Sequence, residues 1–340
     1  MITIARPDTA ARDAALRRQD QLVKPPGSLG RLEELAVWLA GVAGEERPVL
    51  RSRVVIAAAD HGVAAEGVSA YPAEVTGQML GTVATGRAAI SALAGRVGAP
   101  ITLIDAGVRG ASPMDGVERL GLEPSQNLAT APALHPGALE AALAAGRALA
   151  RAARERGENV LVGGELGIGN TTPATALACW LTGRDPGELA GRGTGLDDAG
   201  VERKAAVVRR ALDLHGPSID GPLEALRRLG GGDLAVLAGL ALGAGEHGVG
   251  LICDGVIATA AIAVAIELHP DLASWVIAGH LSAEPAHAAL LDHLGFEPIL
   301  DLGMRLGEGT GAAAALAILG LAASAHDGMA TFAEAGVSEA

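Results

Sequence analysis

The chain of 340 residues carries 26 Lys+Arg against 39 Asp+Glu, a formal net charge of −13. Hydrophobic residues make up 49% and charged residues 19%, which excludes a disordered chain and predicts a large core in one or two domains. The acidic balance, with only three Trp, one Tyr and two Phe, argues against a nucleic-acid binder, which needs cations for phosphates and rings for stacking.

In chain order, the first eight residues lack the apolar run of a signal peptide. Amphipathic patterns predict helices over Thr9–Val23 and Leu29–Ala43. Between them, Pro25 and Pro26 stop the first helix, and Ser28 is the expected N-cap of the second. After Arg51, short apolar runs alternate with Ala-rich segments. The runs are Val54–Ala59, Ile101–Ile104, Asn159–Val162, Leu251–Cys253, Trp275–Ala278 and, more weakly marked, Pro298–Leu300. Such near-continuous runs suit strands buried on both faces of a parallel sheet. Ala73–Val97, Gly137–Arg156, Asp198–Leu214 and Gly255–Leu268 are long enough to be crossover helices. Gly183–Gly195 reads as a long loop, Gly309–Ala325 as a buried core helix rather than a membrane span, and residues after Asp327 as a short helix or frayed tail. Cys179 and Cys253 form no CxxC pair, so a reducing, cytoplasmic setting is expected.

The runs are followed by polar residues beside glycine: Asp60-His61-Gly62, Asp105-Ala106-Gly107, Gly163-Gly164-Glu165, Asp254-Gly255, Gly279-His280 and Gly307-Glu308-Gly309. Any one of these could simply be a turn. Six together predict a cleft at the carboxyl ends of the strands, where open α/β sheets bind ligands. The strongest local signal is Gly163 to Pro173, a strand passing through a Gly-rich turn into a helix, with Thr172 the expected N-cap and Pro173 the first helical residue. It is an expected phosphate site, since glycines admit the ligand and a helix start offers N–H groups; a turn without a ligand is the alternative. Neither a Walker loop nor a GxGxxG fingerprint is present.

Only Lys24 and Lys204 are lysines among the 26 basic residues. In a chain so biased to arginine, a surviving lysine suggests a need for a compact ammonium, although chance survival on a helix face stays open. Lys204 could reach a phosphate from the helix after the Gly-rich loop. Glu308, set between two glycines before an apolar helix, reads as a general base or ribose ligand, or as an acid favoured by a helix N-terminus. Scattered histidines, including His287 and His293, show no metal-ligand spacing, and no Gly-x-Ser-x-Gly elbow occurs.

These segments resemble the nicotinate-nucleotide–dimethylbenzimidazole phosphoribosyltransferase family. The matching pieces are Lys24 to Glu33 (KPPGSLGRLE), Ala59 to Val63 (ADHGV), Gly164 to Pro173 (GELGIGNTTP), Lys204 with Val207 to Arg210, and Arg305 to Gly311 (RLGEGTG), in the family's order across nearly the whole chain. The resemblance implies an α/β fold, a Rossmann-like, mostly parallel sheet flanked by helices, with a small helical domain from both chain ends. Residues 1–50 would form that small domain with part of the C-terminal region, 51–325 the catalytic domain and 326–340 a tail.

It further implies a cytoplasmic homodimer, with no membrane or nucleic-acid partner and no cofactor or metal, that transfers phosphoribose from nicotinate mononucleotide to 5,6-dimethylbenzimidazole. Glu308 would be the base and Glu165 a second acid, on the ribose hydroxyls or steadying positive charge. Gly167, Gly169, Asn170, Thr171, Lys204, Gly193, Thr194 and Gly195 would bind phosphate and ribose. Asp60, His61, Ser69, Gln78, Met79 and Leu306 are expected around the acceptor base. One methyl alters selectivity by only ~1–3 kcal/mol, so benzimidazole, adenine or a phenol are alternative acceptors. A non-catalytic nicotinate-nucleotide-binding protein and a dinucleotide-binding dehydrogenase are the competing classes.

Overall fold

The computed structural model describes residues 4–110 and 113–338; residues 1–3 of the expected N-terminal domain and 339–340 of the expected tail lie outside them. Helices α1 (Thr9–Gln21) and α2 (Arg31–Ala43) open the chain, followed by β1 (Ser52–Ala58), α3 (Val75–Ala84), α4 (Ala89–Arg96), β2 (Ile101–Asp105) and β3 (Val117–Arg119). Then come α5 (Pro136–Glu155), β4 (Val160–Leu166), α6 (Thr171–Thr182), α7 (Pro186–Leu189), α8 (Asp198–His215), α9 (Pro222–Leu229) and α10 (Gly232–His247). The chain ends with β5 (Gly250–Cys253), α11 (Val256–Leu268), β6 (Val276–Ala278), α12 (Pro285–Leu294), α13 (Thr310–Gly328) and α14 (Phe332–Ala335).

The six strands form one sheet in the order β3-β2-β1-β4-β5-β6, and each adjacent pair is parallel. Alternate side chains feed two cores, as a pleated strand requires. Val55, Ala57, Leu161, Leu251 and Cys253 join Leu143, Leu237, Leu240 and Ala261 on one face. Val54, Ile56, Val160, Val162 and Ile252 join Leu35, Leu39, Leu80, Ile90, Leu316 and Leu319 on the other. From β1 the strand order runs one way to β2 and β3, and from β4 the other way to β5 and β6. The crevice between β1 and β4 is therefore the switch point at which this topology binds ligands.

Several expected elements are corrected. Pro298–Leu300 is not a strand; Leu300 makes one isolated bridge to His280. The sixth strand is instead β3, whose Val-Glu-Arg sequence on a half-exposed edge carries no apolar run. Ala73–Val97 is two helices broken around Gly86, which has φ of 74°. Ser28 does not cap α2. The N-cap is Gly30, with φ of 54°, and Glu33 instead accepts the Leu29 N–H at 2.9 Å. Thr172 does not cap α6 either, because Asn170 holds that position and makes no side-chain cap. The Gly183–Gly195 loop contains the one-turn α7. Helix α10, buried on all sides from Gly232 to Gly245, has no amphipathic period by which to be singled out.

The chain ends meet. Val23 N–H donates to Ala330 O at 3.0 Å, and Leu22 pairs with Thr331. The Arg18 guanidinium donates to the carbonyls of His326, Asp327 and Met329.

Candidate active site

A cleft of about 670 Å³ opens beyond the carboxyl ends of β4, β5 and β6. Glu165 reaches it from the end of β4 and is 6% exposed. The preceding glycine admits the opposite wall, since a Cβ at Gly164 would lie 2.7 Å from the Glu308 carbonyl. Glu308 is the one non-glycine residue among those described with positive φ, 62°, between Gly307 at 87° and Gly309 at 83°. A left-handed glutamate flanked by two left-handed glycines is a costly backbone that surroundings must impose. Asp254 helps impose it, accepting the Gly309 N–H at 3.2 Å and the Ala312 N–H at 2.9 Å. The result is a buried carboxylate whose Oε2 has no hydrogen-bond partner.

Acids crowd here. Burial, then repulsion from Asp233, pushes the Glu165 carboxyl up to about 8, against a hydrogen bond from Asn170, with Asp254 and Glu308 adding smaller repulsions. Burial also raises Glu308, opposed by the Ile90 amide, and raises Asp254 against the pull of His280. The Asn170 amide nitrogen donates both to Glu165 and to Asp233, the latter at 3.2 Å. Behind Asp233, His61 Nε2 lies 3.1 Å from its Oδ1, in ion-pair reach though off the hydrogen-bonding direction.

The turn from β4 brings Gly167, Asn170 and Thr171 to the cleft, and the uncapped N-terminus of α6 opens on it, a setting that favours an anion. Facing it are Gly193 and Thr194. Gly193 O accepts from Arg305 Nη1 at 2.9 Å, and its N–H donates to Glu284 Oε1 at 2.8 Å. Apolar lining comes from Val75, Met79, Leu166, Val256, Ile257 and Leu306, with the exposed Tyr71 beside them.

Of the expected site residues, Glu165, Gly167, Asn170, Thr171, Gly193, Thr194, Glu308, Met79 and Leu306 thus border one cleft. The others do not line it. Lys204 is fully buried, donating to Thr171 Oγ1 at 3.0 Å and to Gly191 O at 2.9 Å. It supports the loop of Gly191 to Thr194 instead of lining the cleft, and burial pushes its ammonium down to about 8. Gly169 (φ 91°) and Gly195 (φ 118°) shape turns. Asp60 and His61 lie under the floor, Asp60 accepting the Arg109 N–H at 2.8 Å. Ser69 Oγ contacts Thr194 Oγ1 at 3.1 Å, so it braces a cleft residue without lining the cleft itself. Gln78 is exposed, and its neighbour Met79 takes the cleft position. Asp105 is a turn residue, accepting the N–H groups of Gly107 and Val108.

Arg305, Glu284 and Tyr71 also line the cleft, beyond the residues expected from sequence. Arg305 stood in the motif with Glu308, and Tyr71 is the chain's single tyrosine; Glu284 carries no local signal. Asp254 and His280 stand among the strand ends that predict the cleft, with no individual role assigned, and Asp233 has no motif.

A family model described as a phosphoribosyltransferase (DBI_PRT) matches residues 4–337. The nicotinate-nucleotide–dimethylbenzimidazole phosphoribosyltransferase of Ectopseudomonas mendocina is 51% identical over 335 residues, covering 98% of this chain and 95% of that one. The Xanthomonas axonopodis pv. citri protein of the same name is 49% identical over 337 residues, covering 98% and 97%. Among solved structures, CobT from Thermus thermophilus superposes with a TM-score of 0.92 at 45% identity, over 97% of this chain and 100% of that one.

Proposed function

The chain belongs to the nicotinate-nucleotide–dimethylbenzimidazole phosphoribosyltransferase family and is a transferase, and from that premise we propose that it moves the 5-phosphoribosyl group of nicotinate mononucleotide to 5,6-dimethylbenzimidazole. The products are nicotinate and α-ribazole 5′-phosphate. The observation that carries this reading is the one cleft that joins an anion cradle, an apolar flank and two glutamates, Glu165 and Glu308.

In this reading the phosphate sits between the start of α6 and the Gly193–Thr194 turn, with Arg305 as its cation and Lys204 supporting from behind. The acceptor base lies on the flank of Met79, Leu306 and Val256. An imidazole nitrogen attacks C1′ as the bond to the pyridinium nitrogen breaks, and that electron pair stays on the departing nicotinate. Attack from the opposite face inverts β to α. The alkylated imidazole is a cation whose remaining N–H is acidic, and Glu308, desolvated and lacking a partner at Oε2, takes that proton. Glu165, raised to about 8, holds its own proton at neutral pH and donates a hydrogen bond to a ribose hydroxyl rather than supplying negative charge. Much of the rate comes from holding the base in line with C1′. The same reading places the enzyme in the cytoplasm as a homodimer, with residues 1–50 and part of the C-terminal region as a small helical unit beside a catalytic domain of 51–325.

The test is a mass-spectrometric acceptor screen with nicotinate mononucleotide as donor. Dimethylbenzimidazole should give one ribazole phosphate per nicotinate released. Preferred turnover of adenine or a phenol would change the acceptor, and tight nucleotide binding without release from any acceptor would make the chain a binding protein.

A further inference from the structure

Donor and product of the proposed transfer carry the same 5′-phosphate, so whatever grips it grips both. Such uniform binding does not assist the chemical step and slows departure. Glu284 is the unexpected member of the anion loop. It occupies the N-cap position of α12 but makes no cap. Its carboxylate instead crosses to Gly193, whose N–H donates to Oε1 at 2.8 Å. Oε2 lies against Gly191, where an added Cβ would collide with it. Beneath the same loop the Lys204 ammonium holds Gly191 O, so the loop lies between a buried cation and a buried anion.

The backbone at Glu284 joins a buried network. Ser282 N–H donates to His287 Nδ1 at 2.9 Å, which leaves His287 Nε2 as the donor to Thr259 Oγ1 at 3.0 Å. Ser282 Oγ in turn accepts the Glu284 N–H at 3.4 Å. Glu284 is also 6% exposed and on the cleft wall, so its charge acts in a poorly screened space.

We propose that Glu284 is a resident competitor of the substrate phosphate. Its carboxylate takes the Gly193 N–H that a phosphate oxygen would otherwise receive, answers the Lys204 charge, and weakens the hold on phosphorylated ligands so that product can leave. This rests on the cleft being the phosphoribosyl site.

Glu284→Gln keeps an acceptor for Gly193 and removes the charge. Calorimetry should show nicotinate mononucleotide and α-ribazole 5′-phosphate both binding about tenfold tighter. Nicotinate riboside, which lacks phosphate, should bind variant and parent alike. Turnover should become limited by product release, with a burst of nicotinate. Unchanged or weaker nucleotide binding, or equal tightening of the riboside, overturns the proposal. Should the variant fail to fold, the unaltered protein decides. The Gly193 amide resonance must move when the protein is saturated with ribose 5-phosphate, and an unmoved resonance overturns it. If Glu284→Gln tightens nucleotide binding while the parent releases no nicotinate with any acceptor, the transfer reading fails and the role of Glu284 stands.

Discussion

Glu308 combines a left-handed backbone with a carboxylate oxygen that has no partner, and a helix-end acid needs neither feature. Glu308→Gln keeps the shape and removes the base. Turnover should fall about 10²- to 10⁴-fold while calorimetric affinity for nicotinate mononucleotide is retained; retained turnover would remove Glu308 from the base role. Glu165 makes a different prediction through its proton. The folded carboxyl keeps it up to about 8, whereas the ordinary value is 4.5. Between those values the unfolded chain binds fewer protons than the native one, so stability falls as pH rises. The contribution is complete below 4.5 and is lost through about 8. Glu165→Gln should therefore flatten the decline of the urea midpoint between pH 5 and 8. If Glu165 works as a hydrogen-bond donor, kcat/KM of the parent should fall on the alkaline side near 8, and that limb should vanish in the variant.

At the scale of elements, the loop of Gly191 to Thr194 depends on what α8 places under it. Lys204 has little room to spare: a Cβ at Gly193 would lie only 3.1 Å from Nζ, and the side chain has no exposed surface. A guanidinium there must push the loop outward. Lys204→Arg should thus raise KM for nicotinate mononucleotide at least tenfold, with less effect on KM for the acceptor, and steady-state kinetics in each substrate would separate the two. Equal KM values in variant and parent would show that the loop tolerates displacement. Residue type was legible here while position was not, because sequence spacing cannot tell a residue in a cleft wall from one behind it. The same limit explains Ser69 and His61, which support cleft residues from outside. Strands β1, β2 and β4 were legible because burial on both faces demands apolar runs. β3 was hidden because an exposed edge demands none, and α10 because uniform burial erases the helical period.

Across the whole molecule, α13 joins two distant features. Its first turn follows Glu308, and its last turn, about 28 Å away at 1.5 Å per residue, is held by the Arg18 clamp on His326, Asp327 and Met329. Arg18 is buried in α1, so the clamp ties the first helix to the end of the last long one, across most of the sequence. Three carbonyls share one guanidinium, and hydrogen bonds to charged groups contribute about 1.5–3 kcal/mol each when their loss leaves buried groups unpaired. Arg47 also donates to Asp327 O at 2.8 Å, so that carbonyl stays paired if Arg18 is lost. Arg18→Met keeps the apolar stem and removes the fork; with the His326 carbonyl buried and the Met329 carbonyl part-buried and open to water, it should lower stability by roughly 2–4 kcal/mol in urea unfolding. Amide exchange should quicken first at residues 326–335, where the clamp and the Leu22–Thr331 pairing hold the chain end. The Glu308 turn is fixed separately by Asp254 through Gly309 and Ala312. Turnover per folded molecule at 25 °C should therefore stay within about twofold of the parent, a factor equivalent to less than 1 kcal/mol. A large loss of turnover in protein that is still folded would mean that the terminal clamp sets the geometry of the Glu308 turn through the length of α13.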